Sequence, residues 1–370
     1  MTAAHPRIFG LDVMRATAIL LVLFWHSLDL ILDLAPTFPV PFYLDGVDVF
    51  FVLSGYLIGG ILLKLWQRND LSWRTRAILF WSRRFIRTLP NYYLFLLINV
   101  VLVARGWRSG MLNHNVLAYT VFLQNAWKPL DLFYWESWSL VIEEWFYVLF
   151  PALLLVFALA LRSTGRRVFL VTACVFVVVP LVVRFQLLPD MSSLYDSEMF
   201  VRKLAITRLD TIVFGVLAAM AHARFPEVWQ RFRWLSFVVG AIGVVLVPLA
   251  YGPQHFAYSS TWFYTLNAVA MALLLPLLAS WRQGPSGGGV VTFISRISYS
   301  LYLVHLPLRS ILERWYEPSP LSMAWVQLVV YWSLCMIVSW SVYRYFEKPV
   351  MDLHGTLLSR LGVRLTKSAS

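Results

Sequence analysis

The chain has 370 residues, of which 59% are hydrophobic and only 14% are charged. Soluble domains carry about a quarter charged residues, so this composition excludes an ordinary soluble enzyme and predicts a polytopic membrane protein. The net charge of +12 comes from basic residues beside the hydrophobic stretches, a distribution that excludes a nucleic-acid-binding domain and is typical of membrane topology signals.

Ten hydrophobic stretches are long enough to be predicted as membrane spans. Most of the 31 Lys and Arg fall on one side of the membrane if the N-terminus is cytoplasmic. We therefore predict an all-α transmembrane bundle of about ten spans with both termini in the cytoplasm. Residues 1–352 would form the transmembrane domain, and residues 353–370 a basic cytoplasmic tail. The predicted spans are residues 11–33, 46–66, 86–105, 138–161, 167–188, 207–223, 234–251, 261–281, 291–313 and 324–346.

The first stretch carries ionisable residues where a membrane helix rarely tolerates them. His26 follows Arg15 by eleven residues, roughly 16 Å along a helix, which predicts a position near the bilayer midplane. Five polar residues share one face of this predicted helix: Asp12, Arg15, His26, Asp29 and Asp33. Ionisable groups at this depth normally face a cavity, so His26 is the candidate catalytic base. The alternative is a structural histidine that a neighbouring helix satisfies.

Two carboxylates are candidate partners of His26. Asp48 lies near the outer end of the second span, and Glu143 lies in the outer half of the fourth, on one helical face with Ser139 and Tyr147. A carboxylate that orients a histidine and stabilises its cation would favour general base catalysis. The sequence does not establish that the three side chains meet.

Gly55 and Gly59 lie on the same face of the second span as Asp48. Small residues allow close approach of a neighbouring helix or of a slender ligand, and the sequence leaves both interpretations open.

Three arginines at the inner end of the third span form the candidate anion site. Arg83 and Arg87 are one helical turn apart, with Arg84 between them. Guanidinium groups bind two phosphate oxygens at once, so these residues are candidate donor-binding groups. The alternative is a topology signal alone.

The ninth span places Ser298, Tyr302, His305 and Arg309 on one face. His305 is predicted to lie deep in the membrane, where a catalytic and a structural role are both open. Cys174 and Cys335 lie in apolar stretches, so we expect neither a disulfide nor a metal site. Of the two long external connections, residues 106–137 are predicted to lie at the interface, and residues 189–208 to contact an acceptor.

The ordered set of these motifs resembles the integral-membrane acyltransferase family 3, and it covers essentially the whole chain. The residues that carry the resemblance are Gly10-Leu11-Asp12 with Arg15 and His26; Gly46-Val47-Asp48 with Phe50-Phe51 and Ser54-Gly55; Arg83-Arg84 with Arg87, Pro90 and Tyr92; Trp138-Ser139-Leu140 with Glu143, Phe146, Tyr147 and Pro151; Ser298 to Tyr302 with His305; and Glu347 with Pro349.

The resemblance implies an enzyme that transfers acyl groups, mostly acetyl, to sugars of polysaccharides and lipids or to small molecules. It implies that His26 is the catalytic histidine and that Arg83, Arg84 and Arg87 handle acyl-CoA. We expect His26, Asp48 and Glu143 to be catalytic, with Arg15, Tyr147 and His305 as additional candidates, and we expect no cofactor and no metal.

The expected reaction takes an acyl group from cytoplasmic acyl-CoA to a hydroxyl on the outer side of a bacterial cytoplasmic membrane. A glycan, a lipid-linked sugar or a small molecule would be the acceptor. Direct transfer and a transient acyl-histidine both fit. The alternatives are a glycan or lipid transporter, which the absence of an internal repeat disfavours, and a membrane scaffold.

Overall fold

The structure is a computed structural model, and it describes residues 7–28, 44–68, 70–130, 133–163, 165–314 and 321–353. These residues form helices joined by turns, and they contain no β-strand, so the all-α class is confirmed. The helices that organise the fold are α1 (Phe9–Trp25), α2 (Gly46–Trp66), α3 (Trp73–Ala104), α4 (Ser137–Ala160), α5 (Arg166–Leu187), α6 (Leu209–Arg224), α7 (Arg233–Leu249), α8 (Trp262–Ala272), α9 (Leu275–Ser280), α10 (Gly289–Leu312) and α11 (Leu321–Val342).

Seven helical segments in the described part of the chain are long and apolar enough to cross a membrane, or eight if a bent pair at residues 233–260 is one span. The seven are Gly46–Trp66, Trp73–Ala104, Ser137–Ala160, Arg166–Asp190, Trp262–Ser280, Gly289–Leu312 and Trp325–Leu353. They support an integral membrane protein. With the bent pair counted, eight of the ten predicted spans have a counterpart among these segments. The remaining two correspond to α1 and α6, which are only 17 and 16 residues long. The count of ten spans and the cytoplasmic termini stay predictions.

Helix α1 ends earlier than its predicted span. It stops at Trp25, and residues 26–28 form a turn. The N–H and the hydroxyl of Ser27 both donate to the carbonyl of Phe24, at 3.0 and 2.9 Å. These bonds satisfy a carbonyl at the helix end and tighten the last turn. His26 is therefore the residue that caps α1, and not a residue within a longer helix. Asp29 and Asp33 lie outside the described residues, as does the tail after residue 353.

Among the described helices, α2 and α6 make the most extensive contact. A Cβ atom added to Gly55 would lie 1.8 Å from the carbonyl oxygen of Ile212, and one added to Gly215 would lie 2.0 Å from that of Val52. A Cβ atom on Gly59 would lie 2.9 Å from the Cα of Val216. The glycines on this face therefore serve helix packing, the first of the two interpretations that the sequence left open.

We expect Gly55→Ala to destabilise the protein. The added Cβ atom would meet backbone, which cannot rotate away, so α2 and α6 would have to separate at a cost of about 1–3 kcal/mol. Gly60→Ala is the matched control, because a Cβ atom at Gly60 meets nothing within 4 Å. The measurement is the thermal midpoint of both purified variants in detergent. Equal midpoints would contradict the close packing of α2 on α6.

Buried ion pairs hold α6 against its neighbours. Arg208, which precedes α6, pairs with Asp48 of α2, and Asn267 of α8 donates to the other oxygen of Asp48 at 3.1 Å. Arg184 of α5 pairs in the same way with Asp210 of α6. All of these charged side chains are at most 1% exposed. Charges in such surroundings require partners, so these pairs fix how α2, α5, α6 and α8 meet.

Helix α1 lies between α2 and α10. Its first turn is tied to the segment after α9, because the N–H groups of Phe9 and Gly10 donate to the carbonyls of Arg282 and Trp281 at 3.2 and 2.9 Å. A Cβ atom on Gly46 would lie 2.1 Å from the carbonyl oxygen of Ala18, so the first turn of α2 rests on the backbone of α1. This arrangement brings the end of α1 to α10, and His26 to His305.

Candidate active site

Two cavities adjoin each other between α1, α2, α3, α4 and α10. The arginine cavity has an empty volume of about 750 Å³, and its polar lining includes Arg15, Ser54, Arg84, Arg87 and Glu143. The histidine cavity has an empty volume of about 450 Å³, and its polar lining includes His26, Glu136, Glu198, Arg202, Lys203 and His305. Among the described residues, Val47 and Tyr302 line both cavities and so lie between them.

His26 presents a basic nitrogen to the histidine cavity. Its Nδ1 lies 2.8 Å from the carbonyl oxygen of Val22, one turn earlier in α1. Because a carbonyl only accepts, Nδ1 must carry the proton, and a neutral ring then has its lone pair on Nε2. The backbone carbonyl of His26 accepts a hydrogen bond from Arg309 of α10. The end of α1 is thus held by backbone contacts, and no hydrogen bond from the described residues engages Nε2 of the ring.

His305 has the same tautomer. Its Nδ1 lies 2.6 Å from the carbonyl oxygen of Tyr302, so Nε2 again carries the lone pair. The side chain is buried, and Nε2 has no hydrogen-bond partner among the described residues. The centroids of the His26 and His305 rings are 5.0 Å apart, in an edge-to-face arrangement. Two imidazole acceptors therefore lie together in the histidine cavity.

The carboxylates predicted to support His26 lie elsewhere. Asp48 is paired with Arg208, and Glu143 of α4 lies in the arginine cavity, 3.3 Å from Arg84. No hydrogen bond in the described part of the chain joins either of them to the His26 ring. The backbone carbonyl of Val22 orients that ring instead. The catalytic roles predicted for Asp48 and Glu143 stay predictions, and the contacts of Asp48 suit a structural role better.

Arg84 is held at the centre of the bundle. It contacts Glu143, donates to the hydroxyl of Tyr147, and its guanidinium lies 4.0 Å from the centroid of the Tyr147 ring. The Tyr147 hydroxyl lies 2.6 Å from the hydroxyl of Ser54 in α2. The sequence placed the arginines at the inner membrane boundary, but Arg84 lies beside the middle of α2 and α4. Helix α3 is 32 residues long, so its first turns extend beyond this level.

Arg15 and Arg87 are the cations of the arginine cavity that remain available to a ligand. Arg15 has a distant contact with Asp12, at 3.8 Å, and a weak one with the hydroxyl of Ser295, at 3.4 Å. In the described residues, no hydrogen bond or ion pair holds the Arg87 guanidinium. Arg83 and Arg87 are both exposed, but Arg83 lines neither cavity. The geometry therefore places Arg15 beside Arg84 and Arg87, and separates Arg83 from them.

The segment between α5 and α6 brings three charged side chains to the histidine cavity, Glu198, Arg202 and Lys203. Arg202 pairs with Asp45 at 2.6 Å and with Glu198 at 2.5 Å, and Lys203 contacts Glu198 at 3.1 Å. Burial raises the pKa of Glu198, but the charges of Arg202 and Lys203 outweigh it and hold this pKa below its usual value. Arg202 and Lys203 therefore face Glu198 of the same segment and Asp45, which precedes α2, so these four charges balance.

Sequence reasoning missed Glu136 as a site residue. Glu136 precedes α4, lines the histidine cavity and is almost fully buried in an ion pair with Arg108, at 2.6 Å. Its backbone carbonyl accepts a hydrogen bond from the Tyr302 hydroxyl at 2.8 Å. The signal in the sequence is a carboxylate inside the aromatic stretch Trp135-Glu136-Ser137-Trp138, directly before a membrane helix. Such a residue is costly there unless it has a partner.

Comparison with known proteins gives the class of this chain. The family described as an acyltransferase domain matches residues 8–344. The chain therefore belongs to this family, the integral-membrane acyltransferase family 3 that the motifs resemble, and the prediction of an acyltransferase is confirmed at the level of the family. No solved structure matches the chain.

The relatives are named as O-acetyltransferases. A "Putative O-acetyltransferase" of Staphylococcus aureus is 26% identical over 365 residues, covering 92% of this chain and 56% of the relative. The "Putative peptidoglycan O-acetyltransferase YrhL" of Bacillus subtilis is 27% identical, covering 94% and 56%. The "Peptidoglycan O-acetyltransferase OatA" of Listeria monocytogenes is 27% identical, covering 71% and 44%. The chain spans about half the length of the curated relatives it matches.

Proposed function

We propose that this protein transfers an acetyl group from cytoplasmic acetyl-CoA to a hydroxyl of a glycan on the outer side of a bacterial cytoplasmic membrane. The observation that carries the proposal is the pair of adjoining cavities. One holds arginines available to an anionic donor, and the other is lined by two imidazoles whose Nε2 lone pairs have no hydrogen-bond partner in the described part of the chain. The names of the relatives support acetyl as the group and peptidoglycan or a related glycan as the acceptor.

His26 is the base in this proposal. Its Nε2 takes the proton of the acceptor hydroxyl, and the oxygen then attacks the thioester carbonyl. The new C–O bond replaces the C–S bond, and the departing thiolate receives the proton from the imidazolium. A histidine with its Nδ1 proton fixed on a carbonyl is suited to this task, because the lone pair stays on the nitrogen that faces the substrate. The same nitrogen would serve as the nucleophile in the acyl-histidine alternative.

Arg15 and Arg87 are the proposed donor contacts. Coenzyme A carries several phosphate charges, and an arginine with few protein partners loses little when it binds one. Arg84 already contacts Glu143 and Tyr147, so in this proposal it holds the cavity in shape and adds positive charge.

The acceptor is proposed to be an uncharged hydroxyl group of a sugar. Arg202 and Lys203 are matched by Glu198 and Asp45, so these residues give an anionic acceptor no net attraction. Both imidazoles accept hydrogen bonds through Nε2, and hydroxyl groups donate them. The aromatic side chains of Trp135 and Trp138 lie in the same lining and offer apolar surface to a sugar ring.

The direct test uses the purified protein in detergent with acetyl-CoA and soluble peptidoglycan fragments. The proposal expects release of free coenzyme A thiol that depends on the acceptor, with O-acetylated fragments detected by mass spectrometry. An acetylated product that requires a donor other than acetyl-CoA would overturn the donor assignment. Movement of glycan across a vesicle membrane without acetylation would favour the transporter alternative.

We expect Arg87→Lys to weaken acetyl-CoA binding about ten- to a hundredfold, because lysine keeps the charge but loses the bidentate contact, and hydrogen bonds to charged groups contribute about 1.5–3 kcal/mol. Arg83→Lys, one turn away in the same helix, is the matched control and should leave donor affinity within about twofold. Titration of each variant with acetyl-CoA gives the answer. Equal losses would mean that the position of Arg87 in the cavity does not matter.

A further inference from the structure

We infer that Val47 and Tyr302 set the length of acyl chain that this enzyme transfers. The inference rests on the proposed function, since it requires the donor in the arginine cavity and the acceptor in the histidine cavity. In the part of the chain that the structure describes, Val47 and Tyr302 are the residues that both cavities share. An acyl group attached to a donor on one side must therefore pass these two side chains to meet a hydroxyl on the other.

The Tyr302 side of the partition is fixed by hydrogen bonds. Its hydroxyl donates to the carbonyl of Glu136 at 2.8 Å and lies 2.7 Å from the hydroxyl of Ser139, which then donates to it. Its own carbonyl accepts from Nδ1 of His305 at 2.6 Å. The residue is 7% exposed. The ring therefore cannot swing aside without breaking contacts to the start of α4 and to the second histidine of the site.

The Val47 side is fixed by the backbone. Val47 lies in the first turn of α2, where its N–H donates to the carboxylate of Asp45 at 2.8 Å. The preceding Gly46 rests against the backbone of Ala18 in α1, so this turn packs directly on α1 and leaves no room for Val47 to shift toward it. Val47 is 4% exposed. Its branched side chain has one strongly preferred rotamer in a helix, so it presents a constant shape to the passage.

A rigid partition of this kind discriminates by size. An acetyl group adds one methyl beyond the thioester carbonyl, and each further methylene must fit between Val47 and Tyr302. Apolar pockets typically change kcat/KM by about 10- to 200-fold for one methylene. His26 and the arginines act on the carbonyl and on the coenzyme, which are the same in acetyl-CoA and butyryl-CoA. Chain-length preference must then come from residues that contact the alkyl chain, and the geometry points to Val47 and Tyr302.

The experiment compares acetyl-CoA with butyryl-CoA as donors for the purified full chain and a glycan acceptor. Val47→Ala removes the branch from the passage, and we expect the ratio of kcat/KM for butyryl-CoA to that for acetyl-CoA to rise at least tenfold. Val47→Ile adds a methyl group to the passage, and we expect it to lower acetyl transfer. Val49→Ala is the matched control, because Val49 is a buried valine of the same helix that lines neither cavity. It should keep the wild-type ratio.

An unchanged ratio in a folded Val47→Ala variant would overturn the inference, and so would an equal change in Val49→Ala. If Val47→Ala does not fold, Val47→Ile decides, since undiminished acetyl transfer by that variant is incompatible with a tight passage. Wild-type protein that turns over no acyl-CoA at all would overturn the proposed function, and this inference with it. If the wild-type protein turns over acetyl-CoA but the butyryl-to-acetyl ratio of kcat/KM does not change in the Val47 variants, the inference alone would be overturned.

Discussion

His26→Ala is expected to reduce acetyl transfer by about three orders of magnitude, because general base catalysis contributes typically 10²- to 10⁴-fold and His26 is the base of the proposed reaction. The variant should still fold. The N–H of His26 donates to the carbonyl of Val22 and its own carbonyl accepts from Arg309, and both contacts are made by backbone atoms that alanine retains. The measurement is the initial rate of coenzyme A release with saturating acetyl-CoA and acceptor.

His255→Ala is the control for loss of a histidine as such, since His255 is exposed and lies outside both cavities. A His26→Ala variant with a wild-type thermal midpoint and a near-normal rate would refute the assignment of His26. His305 would then be the next candidate, because it lines the same cavity and its buried Nε2 has no hydrogen-bond partner in the described structure.

Asp48→Asn is expected to lower the free energy of unfolding by about 3–5 kcal/mol, because it leaves the buried Arg208 guanidinium without a counter-charge. The change keeps the size of the side chain, so the effect isolates the charge. The expected signature is a large fall in the thermal midpoint, part of which should return in the double variant Asp48→Asn with Arg208→Gln. The measurement is thermal unfolding of the purified variants in one detergent.

The control for this prediction is an exposed ion pair. Asp70→Asn removes the partner of Arg68 in a pair whose side chains are 42% and 59% exposed, and we expect no measurable change in the midpoint. An Asp48→Asn variant that keeps the wild-type midpoint but loses acetyl transfer would contradict the structural role. That result would return Asp48 to the catalytic role predicted from its position in the sequence.

The sequence predicted helices more reliably than their ends. Stretches of apolar residues need helical backbone in a membrane, because every N–H and C=O must be satisfied within the segment. That rule located α2, α4 and α10 to within about two residues. It failed for α1, where the hydrophobic stretch continues but Ser27 bonds back to Phe24 and the helix stops at Trp25. Hydropathy does not register such a local hydrogen bond.

The partners of the charged residues could not be read from spacing. Spacing along one helix shows which side chains share a face, as with Ser139, Glu143 and Tyr147, but it does not show which other helix they meet. Asp48 and His26 have comparable predicted depths, yet Asp48 meets Arg208, which is 160 residues away in the sequence. Arg83 and Arg87 share a face and were treated alike, but only Arg87 lines a cavity.

What the sequence by itself determined is the class of protein. Composition required a membrane-embedded helical bundle, and an ordered set of short motifs sufficed to identify the acyltransferase family. Both properties can be read from the linear sequence, because neither depends on which helices contact each other. The tertiary structure decided which of the candidate residues lie together in each cavity. It joined His26 to His305, separated both from Asp48 and Glu143, and put Val47 and Tyr302 between the two cavities. These features depend on contacts between segments that are distant in the sequence. Such contacts are determined by close packing and by the pairing of buried charges, and both require all the helices to be assembled.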